Sequence, residues 1–308
     1  MRTGKLLLLT LLATLLLAGC SRATLVYRNL DMLVPWSLND YLDLDRDQQR
    51  ALRARLREHL AWHCNTQLPP LLERLGQLER DSGNGRLARA DLEPHYRGVR
   101  EAMHSIAVEI TPTASELLRA LSDEQVAELR GALAKNRREH REKYLAPPLP
   151  QQIRERAERM QERLQYWFGP LNAAQRQRVL HWAHTLGEQN RRWLDNREQW
   201  QAALLAAVEQ RHRDDFDSRI ARLLQEREAL LNEDDRAALR RAEQAGLELV
   251  ADLHGLADET QRVRLGGRLA QLQSDFASLQ CPVPSTAGGH ARSRTFAGAT
   301  VLAIVPLP

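Results

Sequence analysis

One local pattern recurs along this chain and restricts it to helices. Leu44-Asp45-Arg46-Asp47-Gln48 leads into Leu52, Leu121-Ser122-Asp123-Glu124-Gln125 into Leu129, and Leu171-Asn172-Ala173-Ala174-Gln175 into Val179. Asp258-Glu259-Thr260-Gln261 repeats the polar part, and Asn232-Glu233-Asp234-Asp235 is a degenerate copy. In each, a short polar side chain can accept a backbone N–H of a new helix, and a Gln three residues later can reach back to the cap. That is a capping box, a helix start signal. The starts it predicts, near 46, 123, 173, 233 and 259, are unevenly spaced and so exclude a fixed-period solenoid. Leu, Ala, Arg, Gln and Glu dominate the composition, while β-branched and aromatic residues are too few to build sheets.

The expected fold is therefore all-α: an elongated bundle of about seven or eight helices, several of them long. Pro150 suits a further helix start. Breaks are expected at Pro69-Pro70, Gly83-Asn84-Gly85, Pro112, residues 146–150 and Gly169-Pro170. Ile153, Ala157, Met160, Leu164 and Trp167 step by four and three, which marks one apolar seam. On the helix starting near 173, Trp182, Trp193 and Trp200 lie within about 20° of one another and form a stripe over roughly 27 Å. Its first reading is core packing; the sharper one is a groove that binds an apolar peptide or lipid.

The N-terminus carries an address. Arg2 and Lys5 precede the apolar run Leu6 to Leu17, and the segment ends in Leu17-Ala18-Gly19-Cys20. Charge, apolar run and small-residue cleavage site in that order describe a secretory signal peptide, residues 1–19. The run is shorter than the about 20 residues that span a bilayer. Leu-Ala-Gly-Cys resembles the lipobox of bacterial lipoproteins. The resemblance implies cleavage before Cys20, acylation of Cys20 (palmitate among the chains), and a membrane anchor outside the cytoplasm. Ser21 stands where an Asp is the usual inner-membrane retention signal, so the resemblance implies the periplasmic face of the outer membrane, with the inner membrane as the alternative.

Residues 20–24 then form a tether of only four residues beyond the lipid, so the helical domain, residues 25–281, is expected close against the membrane. Leu30, Leu33, Trp36 and Tyr41 can close one end of the bundle or lie in the lipid interface. Residues 282–308, rich in Pro, Gly and small side chains before an apolar Phe296-to-Leu307 stretch, read as a disordered tail.

Two further resemblances are carried by particular residues. The boxes quoted above resemble the LTxxQ motif of Spy/CpxP-type periplasmic proteins, small helical chaperones and stress modulators, although Thr is absent from the second position of every copy. Leu25-Val26-Tyr27-Arg28-Asn29-Leu30-Asp31-Met32-Leu33-Val34-Pro35-Trp36, then Asp40-Tyr41, resembles an uncharacterised proteobacterial lipoprotein family. Trp62-His63 with Leu68-Pro69, and Trp193-Leu194 with Arg197 and Trp200-Gln201, fit the same family, which extends over roughly residues 20–280 and is known only as a domain of unknown function. It implies a lipoprotein and brings no activity.

Chemistry is sparse by comparison. Among 44 basic and 40 acidic side chains, loss of Arg2 and Lys5 with the leader leaves near balance, and Arg alternates with Glu and Asp as on solvated helix faces. Nucleic acid is therefore not an expected partner. His59 with His63, and His181 with His184, have helical ligand spacing, with Cys64 as a conceivable third donor. Surface or interhelical histidines are the preferred reading, and no metal site, catalytic set or cofactor is expected. Asp214-Asp215 and Asp234-Asp235 point apart on a helix and make no dyad. The basic run Lys135, Arg137, Arg138, Arg141 and Lys143 suits a helix C-terminus. Alternatively, it meets anionic headgroups or an acidic partner. Cys64 and Cys281 are a candidate disulfide in an oxidising compartment, with two unpaired thiols as the preferred expectation.

The functional expectation is a non-enzymatic, lipid-anchored helical module that binds envelope proteins or peptides, as a chaperone or envelope stress accessory. The alternative is a structural or assembly subunit of an envelope complex, and an enzyme with an interhelical site is the third class. Cys20→Ala is expected to abolish incorporation of radiolabelled palmitate and to leave an unprocessed precursor of higher mass. Normal labelling of that variant in growing cells would overturn the lipobox reading.

Overall fold

The computed structural model describes residues 22–281 apart from residue 86. The leader, Cys20, Ser21 and the tail lie outside the described residues, while Arg22 to Thr24, expected as tether, already belong to the first described helix. Twelve α-helices follow one another: α1 (Arg22–Arg28), α2 (Leu30–Leu42), α3 (Arg46–Trp62), α4 (Leu68–Gly83), α5 (Arg89–Arg119), α6 (Asp123–Leu145), α7 (Leu149–Phe168), α8 (Ala173–Thr185), α9 (Gln189–Glu209), α10 (Phe216–Gln225), α11 (Glu233–Gly255) and α12 (Glu259–Ala277). A π-helical turn (His63–Gln67) fuses α3 to α4, and a 3₁₀ turn (Arg227–Leu230) precedes α11. No strand occurs among the described residues.

All five capping signals start helices. Asp45, Ser122, Asn172 and Asp258 each accept the N–H of the Gln three residues on, and each Gln Oε1 accepts the cap's own N–H. Asn232 caps α11 through the N–H of Asp235. The Leu before each of the first three caps and the apolar residue seven after it are buried: Leu44 with Leu52, Leu121 with Leu129, Leu171 with Val179.

The boxes also meet in pairs. Gln48 and Gln125 exchange amide hydrogen bonds, Nε2 to Oε1, at 3.1 and 2.7 Å. Gln175 and Gln261 do the same at 3.0 Å in both directions. The second hydrogen of each amide goes to a backbone carbonyl. Gln48 donates to Ala120 O, Gln125 to Asp43 O, Gln175 to Leu253 O and Gln261 to Pro170 O. Each amide thus fills both donor and both acceptor positions. Glu could not replace Gln here, because a carboxylate has no hydrogens to give and would face a second oxygen. The degenerate box of α11 has Asp235 in place of Gln, and it joins no such pair.

The two clasps sit on the two larger apolar clusters. Leu42, Leu44, Leu52, Leu121, Val126, Leu129, Leu133 and Val208 pack α2, α3, α6 and α9 around the first. Ile153, Ala157, Leu164, Phe168, Leu171, Val179, Trp182, Leu249 and Leu253 pack α7, α8 and α11 beside the second. A third cluster, Ala207, Phe216, Ile220 and Leu223, joins α9 to α10. The seam expected on α7 is therefore core.

The number of helices corrects the expected seven or eight. With α3 and α4 counted as one rod, the described residues hold eleven separate helices. Two expected breaks do not occur. Pro69 and Pro70 fall in the first turn of α4, where a missing N–H costs little. Asn65 Nδ2 and Thr66 Oγ1 bond Ala61 O and Trp62 O across the π-helical turn. Residues 46–83 thereby form about 57 Å of continuous helix contour. Pro112 lies inside α5, which is 31 residues long and packs on α3, α4, α10 and α11. Tertiary contact there outweighs a proline cost of about 3 kcal/mol. Unexpected breaks fall at 186–188, where Gly187 has φ +50°, and at 210–215.

The clasp yields a stability prediction. Gln175 is fully buried, so Gln175→Ala strands the Gln261 amide and the cap, and should cost about 2–3 kcal/mol in denaturant unfolding. Gln175→Glu introduces a buried carboxyl whose folded pKa rises above its unfolded value of about 4.3. Its destabilisation is smallest below that value, where the acid is protonated and can donate, and grows as pH rises through the folded pKa. Equal loss at pH 4 and pH 7 would refute the clasp.

Candidate functional site

The chain's N-terminal end is built from distant segments. Cys64, in the π-helical turn, is bonded to Cys281 just past α12, with 5.4 Å between Cα atoms. That distance suits an unstrained bridge. The disulfide replaces the pair of free thiols expected from sequence, because α4 packs lengthwise on α12 and delivers the chain end to the turn. Next to it, the Tyr27 hydroxyl of α1 lies 2.9 Å from His63 Nδ1, and its ring meets Phe276 of α12 edge-on. Burial pushes the Tyr27 hydroxyl up to about 12 and the His63 imidazole down.

The tryptophans do not form one stripe. The break at 186–188 places Trp182 on α8, in the core shared with α7 and α11. Trp193 and Trp200 lie on α9, and each has its own partners. Trp193 packs edge-on against Tyr144, with Arg197 over its ring. Trp200 Nε1 donates to Leu223 O at 2.9 Å, under the Arg227 guanidinium. The three side chains pack against neighbouring helices.

Arg156 explains the break between α8 and α9. It is 1% exposed and donates to Ala183 O, Gly187 O and Asn190 Oδ1 at 2.9, 3.1 and 3.0 Å. A cation at a helix C-terminus is favoured by the unbonded carbonyls there. Burial, with Arg159 beside it, pulls the guanidinium down to about 10. His254 of α11 is fully buried and clamps the α4–α5 connection, with Leu87 N–H on Nδ1 and Ser82 O at Nε2. No sequence signal marked either residue, because their partners are backbone carbonyls and amides far along the chain.

The histidine pairs separate. His59 bonds Glu109 and Thr113 of α5 at 3.1 and 2.8 Å, His63 turns to Tyr27, and Cys64 is in the disulfide. His181 and His184 are exposed. Among the described residues no three His, Cys, Asp or Glu side chains gather as a metal site. Asp215 pairs with Arg213, and Asp235 with Arg192. From the basic run, Arg141 pairs with Glu198 and Asp195 of α9, and Lys143 lies over Tyr144.

A cleft of about 660 Å³ lies between α5 and α10, a volume within the range of ligand sites. Its walls are mainly apolar, from Pro112, Ala120 and Ala221. Polar groups stand at defined points. Thr111 Oγ1 accepts from Gln225 Nε2, and Ser115 Oγ is buried with no hydrogen-bond partner. Arg119 pairs with Asp217 at 2.7 Å on one side, and Glu116 stands on the other. Such a surface can receive one or two side chains of a peptide; it holds no nucleophile–base pair.

The model of the family of unknown function DUF6279 matches residues 40–236, most of the described chain. The chain belongs to that family. No curated protein and no solved structure matches it. In this member of DUF6279 the fold extends past the matched segment. Gln261 of the second clasp and Cys281 of the disulfide both come from beyond residue 236.

Replacing Cys64 and Cys281 by Ser should lower stability by about 2–4 kcal/mol, the usual effect of opening a long loop. Chemical unfolding of oxidised and reduced protein measures it. A free-thiol assay of the oxidised, unfolded mature chain should find neither Cys64 nor Cys281 reactive, and labelling of both would contradict the bridge.

Proposed function

We propose that this DUF6279 member is a lipid-anchored protein of the bacterial envelope that binds protein or peptide segments and catalyses no reaction. The observation that carries the reading is Leu17-Ala18-Gly19-Cys20, followed at once by a helical body whose first helix starts at Arg22. Two or more acyl chains on Cys20 hold such a body stably on a bilayer. Ser21 favours the periplasmic face of the outer membrane. The binding role is supported by the α5–α10 cleft, whose apolar walls and paired charges suit an extended or helical segment. Many charged side chains elsewhere engage one another across helices, as Arg100 does with Glu228 and Glu243. A chaperone-like or stress-accessory role follows from a body that offers a cleft while tethered near emerging envelope proteins.

The test uses the purified mature protein with unfolded client proteins. Ser115→Trp fills the cleft and Glu116→Arg reverses charge at its edge. Both are expected to weaken suppression of client aggregation by about threefold or more. The thermal midpoint of Glu116→Arg should stay unchanged. Trp200→Ala should instead destabilise the fold, since that ring holds α9 on α10. Crosslinking in intact cells decides between the leading classes. Many transient neighbours support client binding, and a single stoichiometric partner would replace it with an assembly role.

A further inference from the structure

The described residues leave ten large hydrophobic side chains exposed, and five of them lie between residues 25 and 36. Leu25 is 60% exposed, Trp36 72%, and Val26, Met32 and Leu33 40–51%. Within α2, Met32, Leu33 and Trp36 fall within about 100° of arc at 100° per residue, and Leu25 and Val26 are exposed on the adjoining α1. Asp40, exposed one turn beyond Trp36, ends the apolar face.

This face is held rigidly outward by what lies behind it. Thr24, Pro35 and Leu42 are buried. Tyr27 is bonded to His63, and α2 packs on both α3 and α6. Asp31, the one acid within the stretch, is turned aside to Arg57 at 3.0 Å. Arg28 is exposed beside the face near its start.

We infer that the outward face of α1 and α2 lies in the headgroup interface of the bilayer that carries the Cys20 lipid, and fixes how the helical body stands on the membrane. This rests on the lipoprotein reading, because Leu25 follows Cys20 by five residues and cannot lie more than about 17 Å from it. A bilayer that holds the acyl chains is therefore always within reach, at high effective concentration. Tryptophan is enriched at this depth, and basic side chains meet lipid phosphates. A protein partner fits less well, since a stable interface takes about 20–30 residues a side.

The experiment places mature, lipidated protein in vesicles of phosphatidylethanolamine and phosphatidylglycerol with acyl chains brominated near the headgroup. The contribution of Trp36 is the emission difference between wild type and Trp36→Phe. It should be quenched by about half or more in brominated vesicles relative to unbrominated ones. Equal emission in both vesicle types overturns the inference. Mass analysis of Cys20 in the same sample tests the anchor separately. If Cys20 carries no lipid, the anchor reading fails, and the face is judged with Cys20→Ser protein by vesicle co-sedimentation. There, Leu33→Asp with Trp36→Asp should weaken binding about tenfold or more at an unchanged thermal midpoint, and no difference overturns the inference. Two other occupants also overturn it: a dimer in sedimentation that Trp36→Asp dissociates, or Trp36 emission that moves to the red only when residues 282–308 are deleted.

Discussion

Two pairs of helix starts hold one another through glutamine amides, and the bundle is organised around those contacts. In each pair the amide closes its own cap, bonds the opposite amide and ties down a carbonyl of the partner's approach. Leaving any one of these groups buried without a partner costs about 1–3 kcal/mol, so the arrangement tolerates few alternatives. The residues before and after each box carry the local signal directly into the core, with Leu44, Leu52, Leu121 and Leu129 in one cluster and Leu171 and Val179 in another. Capping, pairing and core packing are therefore one structural device used twice, in α3 with α6 and in α8 with α12.

The chain's two ends are joined by a different device. α4 and α12 pack along each other, the Cys64–Cys281 bridge closes their common end, and Tyr27 brings α1 onto the same spot. The result is a braced end from which the tether and the apolar face of α1 and α2 both emerge. The first helices thus hold a fixed orientation on the body, and membrane contact along them would orient the α5–α10 cleft as well.

Two buried polar side chains elsewhere are held mainly by backbone groups. Arg156 at the end of α8 and His254 under the α4–α5 connection are buried because backbone groups meet them on several sides. Their roles are architectural. At the cleft wall Ser115 Oγ has no hydrogen-bond partner, as is also true of Arg156 Nε and several other buried polar atoms.

The capping boxes and the all-helical class were legible in the sequence because each depends on residues within a few positions of one another. Helix starts at 46, 123, 173 and 259 follow from cap and Gln alone, and that at 233 from its Asn cap. The joins at Pro69-Pro70 and Pro112 were misread for the opposite reason: proline's local cost is visible in sequence, whereas the π-helical turn and the packing that absorb it are not. The apparent tryptophan stripe failed similarly, since Arg156 ends α8 from 27 positions away. Box pairing across 77 and 86 positions, and the disulfide across 217, were decided only by tertiary structure. A glutamine's cap bond lies within its own turn, but which second glutamine it meets depends on how whole helices pack.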